Sequence, residues 1–201
     1  SDMVLSDNGP RDGQSIEALA KLRPYFDRRN GTVTVGNACP LTDGSAAVIV
    51  MRESRAKALD LKPLGYLRDY AYAGLQPSVM GLGPVHAAQK VLEKSELTLK
   101  DMELVEINEA FSAQVIGCQR AFESKDYAKK HFDMDDAIGK VSDEQLNVNG
   151  GAVALGHPVG TTGTRLVITL LHALRRKGLK RGMASLCIGG GQGGAFILEV
   201  E

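Results

Sequence analysis

The chain has 201 residues, 43% of them hydrophobic and 24% charged, with 24 basic and 24 acidic side chains that leave a formal net charge of zero. This is the balance of a soluble globular domain, and the missing basic surplus argues against nucleic acid or an acidic lipid surface as partner. No apolar run is long enough to span a bilayer. Cys39, Cys118 and Cys187 form no CxxC pair and no zinc spacing. Free thiols in a reducing compartment and no metal site are therefore expected. The expected location is the cytoplasm, or an organelle matrix in a eukaryote.

Residues 1–31 are polar, and DNGPRDGQ and DRRNG break any long element. Between them, SIEALAKLRPYF predicts a short helix capped by Ser15, with Ile16, Leu19 and Ala20 on one face. TVTVG at 32–36 alternates as a short strand, and NACPLTDG at 37–44 is a loop. The apolar run SAAVIVMRES fits a helix or a buried strand equally well.

From about residue 60 the pattern becomes regular. PLGYLRDYAYAG predicts a strand ending near Gly74, and LGPVHAAQKVLEKSE a helix with Pro84 in its first turn. MELVEIN at 102–108 reads as a buried strand and EAFSAQVIGCQRAFESK as the helix after it. The charged stretch 123–145 has weak periodicity and reads as a surface excursion. A glycine-rich stretch, NVNGGAVALGHPVGTTGT, precedes the helix RLVITLLHALRRKG. There Leu166, Leu170 and Leu174 share a face, Arg175, Arg176 and Lys177 suit the negative pole, and Gly178 suits the C-cap. MASLCIGGGQGGAFILEVE reads as a hairpin. Strands alternating with helices and closing in a hairpin imply an α/β fold, a sheet covered by helices.

Three places set a reactive side chain beside open backbone. Asn108 ends a strand, where α/β folds place ligands; its amide can serve a bound oxygen or simply cap the following helix. His157 lies between Gly156 and Pro158, so it is either a cleft base or an ordinary loop histidine. Cys187 precedes three glycines, which admit a ligand and free the Gly189 N–H to face a developing negative charge. A cysteine at a strand end is also a common buried hydrophobe. Taken together, Asn, His and Cys in separate glycine-flanked loops suggest one assembled site. Asn and His can polarise a carbonyl, and a thiol can exchange a proton near neutrality. Cys39, in a loop, is a candidate ligand contact. His86, His131, His172 and Cys118 read as structural or solvated. The glycine run has neither a P-loop nor a GxGxxG spacing, which excludes a nucleotide cradle of those kinds.

NEAF at 108–111, GHPVG at 156–160 and CIGGG at 187–191 resemble, in order and spacing, the three C-terminal signatures of the thiolases. NGTVTVGNACPLTDGSAA at 30–47 resembles the thiolase segment that leads from the loop domain back into the N-terminal half of the core. The resemblance runs from about residue 8 to the end. The 123–145 excursion is similar to that of the fatty-acid-oxidation thiolases, including the β-subunit of trifunctional complexes.

The resemblance implies two similar halves, each a mixed five-stranded sheet sandwiched by helices. Residues 1–57 would be the tail of the loop domain with the last elements of the N-terminal half, and 58–201 the C-terminal domain. The implied activity is acyl-CoA C-acyltransfer: cleavage of 3-ketoacyl-CoA by CoA, or condensation of two acyl-CoA. CoA would be a substrate, with no tightly bound cofactor. By motif, His157 would activate a nucleophilic cysteine, and Asn108, through a water, would join His157 in one oxyanion hole. Cys187 would be the acid/base and the Gly189 N–H part of a second oxyanion hole. Phe111 would line the pantetheine channel, with Cys39 nearby where the family often has serine. No cysteine here has the context of the nucleophile. The missing N-terminal half is thus an expected partner, an apolar face is expected to be exposed, and this chain alone is expected to be inactive. The parent would be a homo-oligomer or the β-subunit of a complex. The rival is a non-catalytic acyl-CoA or lipid-binding protein of the same fold, against which the intact Asn108, His157 and Cys187 argue.

Overall fold

Alternating apolar strands and amphipathic helices build a sheet with helices on both faces. The computed structural model describes residues 3, 5–7 and 9–201. Ser1, Asp2, Val4 and Asn8, in the turn-rich start of the 1–57 segment, lie outside the described residues. The elements run α1 (Ile16–Ala20), α2 (Glu53–Ala58), β1 (Tyr66–Gly74), α3 (Gly83–Ser95), β2 (Leu104–Ile107), α4 (Ser112–Glu123), α5 (Lys125–Phe132), α6 (Ala152–Leu155), α7 (Val159–Lys177), β3 (Arg181–Ile188) and β4 (Gln192–Glu199). The sheet order is β1–β4–β3–β2. β2 and β3 pair parallel, and the other two pairs are antiparallel.

Side chains alternate across each strand, so the sheet buries two apolar clusters. Val105, Ile107, Met183 and Ile197 pack with Val85, Val91 and Leu92 of α3 and with Cys118 and Phe122 of α4. Leu104, Ala184 and Leu198 pack with Leu166, Leu170 and Leu174 of α7. Gly178 ends α7 at φ +66, with its N–H returned to the Leu174 and Arg175 carbonyls, as a left-handed cap requires.

Among the described residues the sheet has four strands, not the expected five. Along the open edge of β2, Leu146 makes one parallel bridge to Val105. Val105 donates to the Gln145 carbonyl and Asn147 donates to the Val105 carbonyl, both at 2.9 Å. Asn147 then turns at φ +44. Its carboxamide accepts from the Ile107 N–H and donates to the Ile107 carbonyl, each at 2.9 Å. One side chain thus takes the next ladder positions, and a fifth strand has no backbone groups left to pair with.

Other expectations also change. TVTVG forms no strand: Asn37 accepts from the Thr34 N–H at 2.8 Å and donates to the Thr32 carbonyl at 2.9 Å, closing a turn. Residues 41–52, which contain the SAAVIVM run, form neither helix nor strand, with Ile49 89% and Val50 80% exposed. The charged excursion contains α5, capped by Ser124 and seated by the buried Ala128 with Tyr127 and Phe132. α7 begins at Val159, ahead of the expected Arg165, because Pro158 supplies its N-cap backbone.

Apolar surface is also open on β1, where Leu67, Tyr70 and Tyr72 are about half exposed. Contiguous apolar surface of this kind drives association. The chain by itself is expected to scatter light as species heavier than 21.5 kDa, and Ile49→Asp with Val50→Asp to shift it toward the monomer. A monomer at all concentrations in the unmodified chain would contradict this.

Candidate active site

β2 ends in a side chain that is not spent on capping. Asn108 is 1% exposed, and its N–H extends the parallel ladder by donating to the Ser185 carbonyl at 2.9 Å. The N-cap of α4 is Phe111, not Asn108, which removes the helix-cap alternative. The Asn108 amide instead reaches His157, Nδ2 donating to Nε2 at 3.4 Å. Its Oδ1 is buried with no hydrogen-bond partner among the described residues.

An extended strap crosses this junction. Ala38 bridges Phe111, Ser112 donates to the Asn37 carbonyl at 2.9 Å, and Cys39 donates to the Ala110 carbonyl at 3.1 Å. One residue on, the Pro40 carbonyl accepts the His157 N–H at 2.9 Å. The strap therefore ties the Asn108 loop to the His157 loop. Gly156 takes φ +89, and a Cβ there would collide with the Thr42 side chain.

His157 is held in one tautomer. Its Nδ1 lies 2.6 Å from Thr162 Oγ1, and that hydroxyl donates to the Pro158 carbonyl at 3.1 Å. A hydroxyl has one proton to give, so Nδ1 carries the hydrogen and Nε2 keeps its lone pair. With Nδ2 toward the ring, the Asn108 contact fits the same tautomer. Burial, and next the charge of Arg165, lower the His157 pKa below the ordinary imidazole value. Near pH 7 the ring is neutral, with its basic nitrogen beside Asn108.

Cys187, the penultimate residue of β3, is in the opposite condition. It is 9% exposed, and burial pushes its thiol pKa up, with Cys39 adding to the rise against a backbone hydrogen bond. By the Ile107–Ser185 register, Asn108 falls beside Leu186, one residue short of Cys187. The turn that follows uses Gly190 at φ +87 and Gly191 at φ +94, while Gly189 faces open space. Cys39 is half-buried, and burial raises its thiol pKa too. Phe111 meets Phe26 edge-on at 6.0 Å, and Phe26 meets Tyr25 at 5.1 Å. Tyr25, Arg23, Pro24 and Arg28 line a surface recess at the far end of this aromatic row.

Asn108, His157, Phe111 and Cys39 thus converge through the strap, with Cys187 on the adjacent strand end. Sequence reasoning missed Thr162, which orients His157. It also missed Glu109, whose Oε1 accepts from Asn147 Nδ2 at 2.8 Å and whose Oε2 accepts the Val153 N–H at 3.1 Å. A charge in the middle of VEINEAF was the available signal. Elsewhere, Cys118 is buried and donates to the Gly81 carbonyl at 3.3 Å. His86 bonds the Tyr127 hydroxyl at 2.9 Å, and His172 is exposed. No group of three or more His, Cys, Asp or Glu side chains is placed to hold a metal among the described residues, and no helix there is long and apolar enough to cross a membrane.

The family model "Thiolase, C-terminal domain" matches residues 61–200, and "Thiolase, N-terminal domain" matches residues 1–54. A 3-ketoacyl-CoA thiolase of Photorhabdus laumondii is 47% identical over 199 residues, 98% of this chain and 46% of that protein. One of Shewanella loihica is 44% identical over 97% of this chain and 45% of that protein. The crystal structure of human mitochondrial 3-ketoacyl-CoA thiolase in complex with CoA superposes with a TM-score of 0.85 at 41% identity, covering 98% of this chain and 46% of that one. The Bacillus anthracis acetyl-CoA acetyltransferase structure gives 0.81 at 44% identity, covering 96% of this chain and 44% of that one. The fold is an α/β one, a mixed sheet covered by helices. The chain belongs to the thiolase family, and it spans about half the length of the curated relatives it matches.

Thr162→Val removes the acceptor of the His157 Nδ1 proton. In an imidazole ¹⁵N spectrum the Nε2–H tautomer is expected to become populated, and Thr162→Ser to restore the wild-type spectrum. An unchanged spectrum in Thr162→Val would show that another group orients the ring.

Proposed function

We propose that the protein bearing this chain is an acyl-CoA C-acyltransferase that cleaves 3-ketoacyl-CoA with CoA or condenses two acyl-CoA, and that this chain supplies its acid/base half. One observation carries the reading: the buried Asn108 amide meets the His157 ring at 3.4 Å, beside the strand end that carries Cys187, where burial lowers the imidazole pKa and raises that of the thiol. Groups whose environments drive their acidities in opposite directions are suited to be base and acid in one reaction.

His157 Nε2 takes the proton from a nucleophilic thiol supplied by the N-terminal half. Once protonated, the same nitrogen donates to the substrate thioester oxygen, alongside a water held by Asn108 Nδ2. In cleavage the C–C bond breaks toward the α-carbon, and Cys187 delivers its proton there. The resulting thiolate then deprotonates the incoming CoA thiol, which restores Cys187; the CoA sulfur bonds to the acyl carbon as the nucleophile leaves, and the released thiolate takes its proton back from His157. The Gly189 N–H faces the acyl-enzyme oxygen. Phe111 lines the path of the pantetheine arm, Cys39 borders it, and Arg23 and Arg28 near the aromatic row offer positive charge to the phosphates of CoA. Residues 1–57 join the N-terminal half and 58–201 form the catalytic C-terminal domain. Without that half the chain is inactive.

Thiolysis of acetoacetyl-CoA and of a longer 3-ketoacyl-CoA is the test, in the full-length protein and in this chain alone. Activity is expected only in the full-length protein. Cys187→Ala or His157→Gln is expected to lower kcat by about 100-fold or more. The pH profile follows from the signs. A lowered imidazole pKa keeps the base active below 6.5, and a raised thiol pKa keeps the acid protonated above 9.0. The plateau should therefore extend past both values. A full-length protein that binds acyl-CoA without turnover would establish the binding-protein reading, and activity in this chain alone would place the nucleophile within it.

A further inference from the structure

One carboxylate beside the site has no part in the roles above, yet both of its oxygens are engaged. Glu109 follows Asn108 at the end of β2 and is half-buried. Its Oε1 accepts from Asn147 Nδ2 at 2.8 Å, and its Oε2 accepts the Val153 N–H at 3.1 Å. Both partners are donors, since the Asn147 amide is oriented by its Oδ1, which accepts the Ile107 N–H at 2.9 Å. With both oxygens taken, the group is not free to act on a substrate as acid or base. The bond to Asn147 serves the sheet edge, whereas the bond to Val153 reaches a different element.

That element leads directly to the imidazole. α6 is a single turn whose own N-cap, Gly151, offers no side chain, so its first N–H groups need an acceptor from elsewhere. Glu109 supplies one from 44 residues away. His157 comes four residues after Val153, and the chain between them is held throughout. Leu155 and Gly156 donate to the Gly151 and Ala152 carbonyls at 2.9 and 2.8 Å, and the His157 N–H donates to the Pro40 carbonyl at 2.9 Å. Packing is close at Gly151, where a Cβ would collide with the Glu109 carboxylate. Adjacent residues of one backbone thus carry the Asn108 amide and the anchor of the histidine loop.

We propose that Glu109 is a positioning residue of the site: by bridging Asn147 and α6, its carboxylate sets the gap between the Asn108 amide and the His157 ring. That gap is 3.4 Å, at the long limit of a hydrogen bond, so a small displacement of α6 opens it. A carboxamide has one acceptor oxygen. Glu109→Gln must therefore turn its NH2 toward one of the two donors and release either Asn147 or α6.

The test combines an imidazole ¹⁵N spectrum with thiolysis of acetoacetyl-CoA, both in the full-length protein. Asn108→Ala gives the position of the His157 Nε2 signal when the amide contact is gone. In Glu109→Gln the signal is expected to move toward that position with the tautomer unchanged, because Thr162 is untouched. There kcat is expected to fall about 10-fold or more with KM little changed. Gly151→Ala, which displaces the carboxylate without altering its charge, is expected to do the same, and it decides if Glu109→Gln does not fold. Glu103→Gln is the control. The Glu103 carboxylate also accepts two backbone N–H groups, those of Lys180 and Arg181 at 2.6 and 2.9 Å, but at the opposite end of β2. Its replacement is expected to lower stability and to leave the signal and kcat alone. An Nε2 signal that keeps its wild-type position in folded Glu109→Gln or Gly151→Ala overturns the proposal, whatever happens to kcat. An equal displacement in Glu103→Gln overturns it too. The inference rests on the proposed role of His157 only in its kinetic arm. A displaced signal with wild-type kcat would sustain the positioning and count against His157 as the base.

Discussion

The carboxamide of Asn147 ends the sheet and hangs the Asn108 loop from it. It serves both backbone groups of Ile107 and donates to Glu109 as well. Glu109 in turn holds the Val153 N–H at the start of α6. Each bond is worth only about 1 kcal/mol, but together they decide where the chain leaves the β2 edge. Asparagine suits the place because its short polar side chain tolerates the left-handed backbone that the turn demands. With the edge closed, the chain passes through Gly150 and Gly151 into α6 and returns His157 to Asn108. An ordinary strand residue here would leave the edge open and the loop untethered.

Above that frame one physical term does two opposite things. Desolvation disfavours the charged form, so it lowers the pKa of an imidazole and raises that of a thiol. His157 and Cys187 are each partly or largely buried, and burial drives their pKa values apart. Polar neighbours refine the result: Thr162 selects the tautomer, and Asn108 reads it from the other side.

Much of this was legible before any coordinates. β1, α3, β2, α4, α7 and the β3–β4 hairpin follow from periodicity, because each lays one clear apolar face on the sheet. Asn108, His157 and Cys187 stood out because each lies beside a glycine, a proline or a strand end. What stayed hidden depends on side chains acting for backbone at a distance. TVTV alternates like a strand, yet Asn37 folds it into a turn. A fifth strand was expected, yet Asn147 occupies its place. α5 escaped notice because three side chains, Tyr127, Ala128 and Phe132, seat it under a charged surface. Thr162 was invisible because nothing local says that a helix-start hydroxyl meets an imidazole five residues back.

The strap from Asn37 to Gly44 has a consequence for how such proteins can be recombined. Thr42 fills the space a Cβ would need at Gly156, and Gly44 leaves room for the Pro158 ring. The Gly44 carbonyl also accepts the Thr161 hydroxyl at 2.7 Å. These contacts join residues more than a hundred positions apart. A chimera of two relatives with its crossover between 44 and 156 would take the strap from one parent and the histidine loop from the other. Such a chimera inherits every signature motif intact and still mismatches at this seam. Crossovers placed before residue 37 or after residue 162 keep the two surfaces together.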